Sequence, residues 1–139
     1  MTFSYDETGN RTLRGDSTGL ATYTYDLRDQ VESTTQSTRQ RVTYVYDAVG
    51  QRSALIKVDG GRFTYVYDAA GRLKSLADLK PDDSVVSSFE YECDNAGNRT
   101  SVLEGTGDRV TWSYDATYQL TRERRSGANA STRRSFTMR

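Results

Sequence analysis

Six short stretches of the chain alternate aromatic or apolar residues with polar ones. Each stretch ends in Tyr-Asp or, once, in Cys-Asp, and another aromatic residue lies two positions before that tyrosine or cysteine. An apolar residue precedes it by two more positions, as in Phe-Thr-Tyr-Val-Tyr-Asp over residues 63–68. Residues two positions apart share one face of a β-strand. The pattern therefore predicts six strands, each with one aromatic face.

Turn-forming residues follow each of these aspartates. A glycine stands three residues after the aspartate in four copies, and Asp29 and Tyr118 take that place in the other two. Asp-x-x-Gly suits a type I turn that ends in a left-handed residue. A return strand then follows, and Gly15-Asp16, Asp59-Gly60-Gly61 and Gly105-Thr106-Gly107 are predicted to turn the chain back. The predicted fold is all-β, an antiparallel meander of about a dozen short strands with negligible helix.

The aspartates divide the chain into tandem repeats, spaced 20, 21, 21, 26 and 21 residues apart. The long interval contains Lys80-Pro81-Asp82-Asp83 and predicts an insertion loop around residues 80–85. We expect six hairpins over residues 1–131 and a truncated seventh repeat or basic tail over 132–139. The predicted structural anchors are Tyr5, Asp6, Gly9, Tyr25, Asp26, Tyr46, Asp47, Gly50, Tyr67, Asp68, Gly71, Cys93, Asp94, Gly97, Tyr114 and Asp115.

The unit Tyr65-Val-Tyr-Asp-Ala-Ala-Gly-Arg-Leu73 resembles the YD repeat of Rhs proteins, which include bacterial Rhs and Tc-type toxin shells and the animal teneurins. Residues 44–52 and 93–99 match almost as well. The resemblance implies a β-strip that curls as a slice of a hollow shell, which in the family commonly encloses a toxic domain. It also implies a secreted or cell-surface location. The Asp-Pro-x-Gly segment that precedes the toxin in Rhs proteins is missing here.

Composition removes several kinds of chemistry. There is no histidine, which excludes Ser-His-Asp and Cys-His catalysis and histidine metal sites. The single cysteine, Cys93, cannot form an intramolecular disulfide. Leu, Ile, Val and Phe number only 24 of 139 residues, so we expect tyrosine to supply much of the core. We predict no enzymatic activity, no cofactor and no metal site.

The distribution of charge bears on partners. Residues 1–108 carry 12 basic and 17 acidic side chains, whereas residues 109–139 carry seven basic and two acidic ones. The basic segment lacks lysine and helical spacing, which disfavours nucleic-acid binding. No apolar run approaches the roughly 18 residues of a membrane span, and the first residues lack the apolar segment of a signal peptide.

The repeated side chains have alternative interpretations. The aspartates could pair for glycoside hydrolysis, but their common position in the turn favours turn capping. The tyrosine ladder could stack on sugars, but in this chain it more plausibly forms the core. We expect Arg11, Arg52, Arg72 and Arg99 to pair with turn carboxylates and cover rings. Cys93 is predicted to be a buried, inert thiol.

Two functions follow from these observations. The first is a non-enzymatic structural repeat module, like part of an Rhs-type toxin shell. The second is a carbohydrate-binding or adhesive surface module, for which a glycan partner stays open. The residues between the two aromatic positions of each strand contain no aromatic side chain, which favours the first. We also expect self-association, or pairing with other YD-repeat segments, through edge strands near Phe3 and near Thr132–Arg139.

Overall fold

The computed structural model describes residues 1–128, and every regular element in that range is a β-strand. The strands follow one another in a single hydrogen-bonded order from β1 to β12. The predicted all-β antiparallel meander is therefore confirmed. The strands are β1 (Thr2–Tyr5), β2 (Arg11–Asp16), β3 (Gly19–Tyr25), β4 (Val31–Gln36), β5 (Arg41–Tyr46), β6 (Arg52–Ile56), β7 (Arg62–Tyr67), β8 (Leu73–Leu79), β9 (Val85–Cys93), β10 (Arg99–Glu104), β11 (Arg109–Tyr114) and β12 (Leu120–Ser126).

Clustering of the Cα atoms divides the chain into two compact units. The first contains Met1–Phe63 together with Lys80–Ser84, and the second contains Thr64–Leu79 and the described residues from Val85 on. The predicted array of six hairpins over 1–131 is thus split within β7. The truncated repeat or tail predicted over 132–139 lies outside the described residues.

The fourth repeat interval is long because its strands are long. A five-residue turn, Lys80–Ser84, joins β8 to β9, and the turn over residues 57–61 between β6 and β7 has the same length. β8 is two residues longer than β6, and β9 is three residues longer than β7. These five residues account for the whole difference in spacing, so a tight turn stands where we expected an insertion loop.

The turn between β2 and β3 lies slightly later than predicted. Gly15 and Asp16 are the last residues of β2, and the chain reverses at Ser17 and Thr18. The Asp16 carboxylate accepts a hydrogen bond of 2.8 Å from the Thr18 backbone N–H, so it caps the turn from the end of the strand. Gly15 leaves room for Leu20, whose Cδ2 would lie 2.9 Å from a Cβ at that position.

The expected tyrosine core takes a different form. Among residues 1–128 the only buried apolar core side chains are Val102 and Val110, which face each other across β10 and β11. The repeated tyrosines are half-buried, apart from Tyr5, which is 61% exposed. The sheet is not covered by helices in the described part of the chain, and a sheet without a second layer leaves its rings partly open to solvent.

Candidate functional site

The six Tyr-Asp or Cys-Asp positions fold into the same turn. At the first, the Asp6 N–H donates to the carbonyl of Asn10 at 2.9 Å, and the Gly9 N–H donates to the carbonyl of Asp6 at 3.1 Å. The same two bonds recur in every later copy. One extra residue, such as Thr12, then enters the return strand as a bulge. The repeated aspartate therefore marks a repeated backbone conformation.

Each aspartate side chain is engaged by the turn that it begins. The Asp47 carboxylate accepts hydrogen bonds from the backbone N–H groups of Val49, at 3.0 Å, and Gln51, at 2.8 Å. Asp26 does the same with Arg28 and Gln30. This geometry supports turn capping over the alternative of paired hydrolytic carboxylates.

These hydrogen bonds lower the pKa of several turn carboxyl groups below the ordinary value of 3.8. For Asp6, Asp94 and Asp115 the largest cause is a hydrogen bond from a side chain within the turn. For Asp26 and Asp68 it is a hydrogen bond from a backbone N–H. Hydrogen bonding to the charged form favours ionisation, so these groups are unsuited to act as general acids near neutral pH.

The last residue of the turn adopts a left-handed conformation whether or not it is glycine. Gly50 has a φ of 86° and Gly97 a φ of 93°. Asp29 and Tyr118, which replace glycine in two copies, have φ values of 58° and 61°. Asp tolerates this region better than most residues. Tyrosine has no short polar side chain that could hydrogen-bond locally in this conformation. The backbone of this turn is therefore strained at Tyr118.

The anchor tyrosines bind the carbonyl of the preceding return strand. The hydroxyl of Tyr25 donates to Arg11 at 2.9 Å, and that of Tyr114 donates to Arg99 at 2.8 Å. Cys93 occupies the same place in its repeat and is half-buried, with no disulfide partner. Its side chain lacks the ring and hydroxyl with which a tyrosine reaches the carbonyl of the preceding return strand. The thiol is thus half-buried, whereas the sequence predicted a buried one.

The arginines that follow the turns have two roles. The guanidinium groups of Arg11, Arg52 and Arg99 lie 4.8, 4.7 and 4.4 Å from the ring centres of Tyr23, Tyr44 and Tyr91, respectively. Such stacking is a cation–π interaction.

Arg72 stands one position earlier in its repeat and pairs with a turn instead. Its guanidinium contacts the Asp68 carboxylate at 2.7 Å and donates to the carbonyl of Asp94 at 2.7 Å. Ring covering and carboxylate pairing, both expected of this group of arginines, therefore both occur among its members.

Neighbouring turns touch each other within each unit. In the first unit, Asn10 donates through its side-chain amide to the Asp29 carboxylate at 2.8 Å, and Gln30 donates in the same way to the carbonyl of Gly50 at 3.0 Å. In the second unit, Arg72 joins its turn to that of Asp94. The anchors thus form rows of hydrogen-bonded turns, and their polar atoms are used in building the sheet.

Two polar clusters were not predicted. Ser33 and Ser101 lie at the same place, seven residues after the repeat aspartate, and are 2% and 3% exposed. Ser101 donates to Glu92 at 2.7 Å and accepts from Arg109 at 3.0 Å. A search of the repeat for small polar residues in the return strand would have found this position.

The second cluster joins Arg125 to Glu104 at 2.7 Å and to the buried Asp108 at 3.7 Å. Arg125 was predicted only as part of a basic segment. Its partners come from a return turn, where the repeat carries no fixed sequence signal. Part of the positive charge of the basic segment is therefore neutralised within the second unit.

A concavity of about 440 Å³ lies in the second unit beside the Ser101 cluster. Its charged lining residues are Lys74, Glu90, Glu92 and Arg109. Both signs of charge are present, and Arg109 contacts Glu92 at 3.3 Å. Within residues 1–128 no group of three or more acidic or cysteine side chains converges as a metal site. The same range contains no helix of the length and apolar character needed to cross a bilayer.

Solved structures with the same architecture are components of Tc toxins. The crystal structure of TcdB2-TccC3-TEV is 21% identical with a TM-score of 0.78, and TcdB2-TccC3 without its hypervariable C-terminal region is 21% identical with a TM-score of 0.79. Each likeness covers 87% of this chain and 7% of the other. The Tc holotoxin pore of Photorhabdus luminescens is 16% identical with a TM-score of 0.66, over 97% of this chain and 9% of the other.

The chain resembles these structures in its fold. No protein-family model matches the chain, and no curated protein matches it in sequence. The fold is that of an antiparallel β-repeat strip. More particularly, it is the strip of Rhs-type, YD-repeat shell proteins such as those in the Tc toxins, which confirms the predicted resemblance. The chain spans less than a tenth of the length of these structures.

Proposed function

We propose that this chain is a non-enzymatic structural module, a segment of wall in a YD-repeat shell. The observation that carries the proposal is the use of the repeated polar groups. The turn aspartates bind their own backbone, as Asp47 does, and the anchor tyrosines bind the preceding repeat, as Tyr46 does with the carbonyl of Val31 at 2.9 Å. Groups used in this way hold strands in register and are not available for a substrate.

The location of the aromatic rings weighs against carbohydrate binding. A sugar stacks on an open ring face, and cationic side chains lie over the faces of Tyr23, Tyr44 and Tyr91. These guanidinium groups lie over the ring faces on which a glycan would stack. The structural module accounts for these contacts without a ligand.

A graft tests the wall function. Residues 1–128 would replace the stretch of TcdB2-TccC3 to which they are similar, and the shell would be tested for resistance to protease. We expect the hybrid to be as resistant as the parent shell. The matched control carries Gly50→Val, Gly71→Val and Gly97→Val in the graft, and we expect it to be cleaved. Equal cleavage of the hybrid and this control would contradict the proposal.

A titration tests the alternative. NMR signals of the isotope-labelled full chain would be followed during addition of a panel of neutral and acidic oligosaccharides. We expect no saturable shift of the tyrosine ring signals. A saturable shift that is lost in Tyr44→Ala and retained in Tyr118→Ala would favour the carbohydrate-binding module instead.

A further inference from the structure

Three contacts recur where a return strand meets the next repeat. In the backbone register, the residue seven after one aspartate faces the residue four before the next, as with Leu13 and Thr22. The same pairing joins Ser33 to Thr43 and Ser101 to Thr111. With Ser75 and Glu90, which pair in the same register, it holds at four junctions and with three different combinations of side chains, which makes it a property of the repeat.

The second and third contacts flank this register. The anchor tyrosine donates to the carbonyl five residues after the preceding aspartate, as Tyr46 does to Val31. In the first unit, the amide side chain four residues after an aspartate donates to the residue three after the next aspartate, from Asn10 to the Asp29 carboxylate and from Gln30 to the Gly50 carbonyl. In the second unit, Asn98 donates instead to Asp94 of its own turn. Together the three contacts define a junction whose partners can be read from the numbering of the repeat.

The strand β1 presents one half of such a junction. Within residues 1–128 its only strand neighbour is β2. Tyr5 is 61% exposed, and its hydroxyl has no hydrogen-bond partner in the described part of the chain, unlike that of Tyr25.

The strand β12 presents the other half. Its only neighbour among the described strands is β11. Counting from Asp115, the carbonyl that a following anchor tyrosine would bind belongs to Leu120. The amide that would reach the following turn belongs to Gln119, and the residue that would face the following strand is Arg122. Gln119 and Arg122 are both exposed.

We propose that two copies of this chain join head to tail, with β12 of one copy pairing antiparallel to β1 of the other. Arg122 of one copy then faces Thr2 of the other. The hydroxyl of Tyr5 donates to the carbonyl of Leu120, and the amide of Gln119 donates to the carbonyl of Gly9. By the register that joins β4 to β5, the backbone ladder consists of Arg122 with Thr2 and Glu123 with Met1, and the Tyr5 and Gln119 side chains extend the contact beyond it. The pairing does not depend on the proposed shell function.

Charge favours this order of the two ends. The turn beside β1 begins with Asp6 and Glu7, whereas β12 carries Arg122 and Arg124. The charge of Arg125 in the same strand is already balanced by Glu104 and Asp108, and Glu123 there accepts a hydrogen bond from Trp112. Residues 1–108 have a net charge of −5 and residues 109–139 a net charge of +5. Opposite charges steer a head-to-tail encounter and oppose head-to-head pairing. A heterologous contact of this kind adds further copies in the same direction.

Disulfide trapping between two differently tagged chains tests the register. Both chains carry Cys93→Ser, one carries Thr2→Cys, and the other carries Arg122→Cys. Directly opposed residues in antiparallel strands have Cα atoms about 4.5–5.5 Å apart, within the range that a disulfide spans. We expect the mixture, oxidised in air with Cu²⁺, to form a mixed dimer on a non-reducing gel.

The matched control moves one cysteine by one residue. Glu123→Cys, mixed with Thr2→Cys, places the two thiols on opposite faces of the joined sheet, so we expect at least a tenfold slower formation of the dimer. Equal rates for the two mixtures would overturn the proposed register. A full chain that stays monomeric by light scattering over the micromolar range, with no mixed dimer, would overturn the pairing itself.

The Tyr5 hydroxyl supplies an independent test. We expect Tyr5→Phe to weaken association of the full chain by about fivefold, as loss of one hydrogen bond implies. Tyr118→Phe, which changes an exposed turn tyrosine, leaves association unchanged. High salt weakens association in both. Equal association of the two variants would contradict the predicted hydrogen bond from Tyr5 to Leu120.

Discussion

The hydroxyl of Tyr46 donates a hydrogen bond of 2.9 Å to the backbone carbonyl of Val31, at the point where the ladder between β4 and β5 has ended. The last backbone pair of that ladder is Ser33 with Thr43. The tyrosine side chain thus continues the connection between the two strands beyond their own hydrogen bonds. The same arrangement links Tyr114 to Arg99 beyond the pair of Ser101 and Thr111.

Removing this hydroxyl isolates its contribution to stability. We expect Tyr46→Phe to lower the free energy of unfolding by about 1 kcal/mol, because the carbonyl of Val31 loses its partner while the ring is retained. Urea unfolding followed by tyrosine fluorescence measures the change. Tyr118→Phe is the control and leaves the free energy unchanged. An equal effect of the two substitutions would show that the hydrogen bond contributes nothing.

A tyrosine hydroxyl introduced at position 93 is expected to raise the free energy of unfolding. Ser75 faces Glu90 in β8 and β9, which is the register of the other junctions. A tyrosine at position 93 is therefore placed to donate to the carbonyl of Leu73. We expect Cys93→Tyr to be more stable than Cys93→Phe by about 1 kcal/mol. The comparison cancels the effect of the added ring, and equal midpoints of urea unfolding would refute the transfer of register to this repeat.

Substitutions of the last turn residue are expected to change the free energy of unfolding in opposite directions at Gly97 and at Tyr118. Both residues have positive φ, and nothing lies within 4 Å of a Cβ at Gly97. We expect Gly97→Val to lower the free energy of unfolding by more than about 1 kcal/mol through backbone strain alone. Tyr118→Gly relieves such strain and raises stability by about 0.5–1 kcal/mol. Thermal unfolding measures both, and Gly97→Asn, which tolerates this conformation, is the milder control.

The turn carboxylates make stability depend on acid pH. The pKa of Asp26 and Asp68 is lower in the folded chain than its ordinary value of 3.8, and that of Asp16 is lowered to about 2, chiefly by the Thr18 hydroxyl. A lowered pKa in the folded state means that the stabilisation is complete above the unfolded value and is lost as pH falls through the folded value. We expect the urea midpoint to be constant above about pH 5 and to fall between about pH 4 and 2.

Amide substitutions test the origin of this decline. Asp26→Asn and Asp68→Asn retain an oxygen that can accept the turn hydrogen bonds but do not titrate. The double variant is therefore expected to lose less stability between pH 5 and pH 2 than the unsubstituted chain. A decline of the same size in both proteins would assign the acid sensitivity to other groups.

The repeat itself was readable from the sequence, because period-two alternation and Asp-x-x-Gly turns are local signals. Tyr65, Tyr67, Asp68 and Gly71 carry both within seven residues. These local signals failed where a residue other than glycine adopts the same backbone conformation. Tyr118 gives no indication of a positive φ. The stretch around Pro81 reads as an inserted loop, although it forms a five-residue turn and the extra residues of this repeat lie in β8 and β9.

The sequence by itself determined the class of fold, the approximate number of strands and the position of the turns that follow the repeated aspartates, since these depend on neighbours within about five residues. Only the tertiary structure decided what the repeated side chains do. The partner of Tyr46 lies 15 residues away, and the carboxylate that holds Arg125 lies 21 residues away. Pairings over such distances depend on strand register. The burial of side chains depends on the openness of a single sheet, which leaves tyrosine rings half-buried beneath arginine and confines the buried apolar core of the described residues to Val102 and Val110.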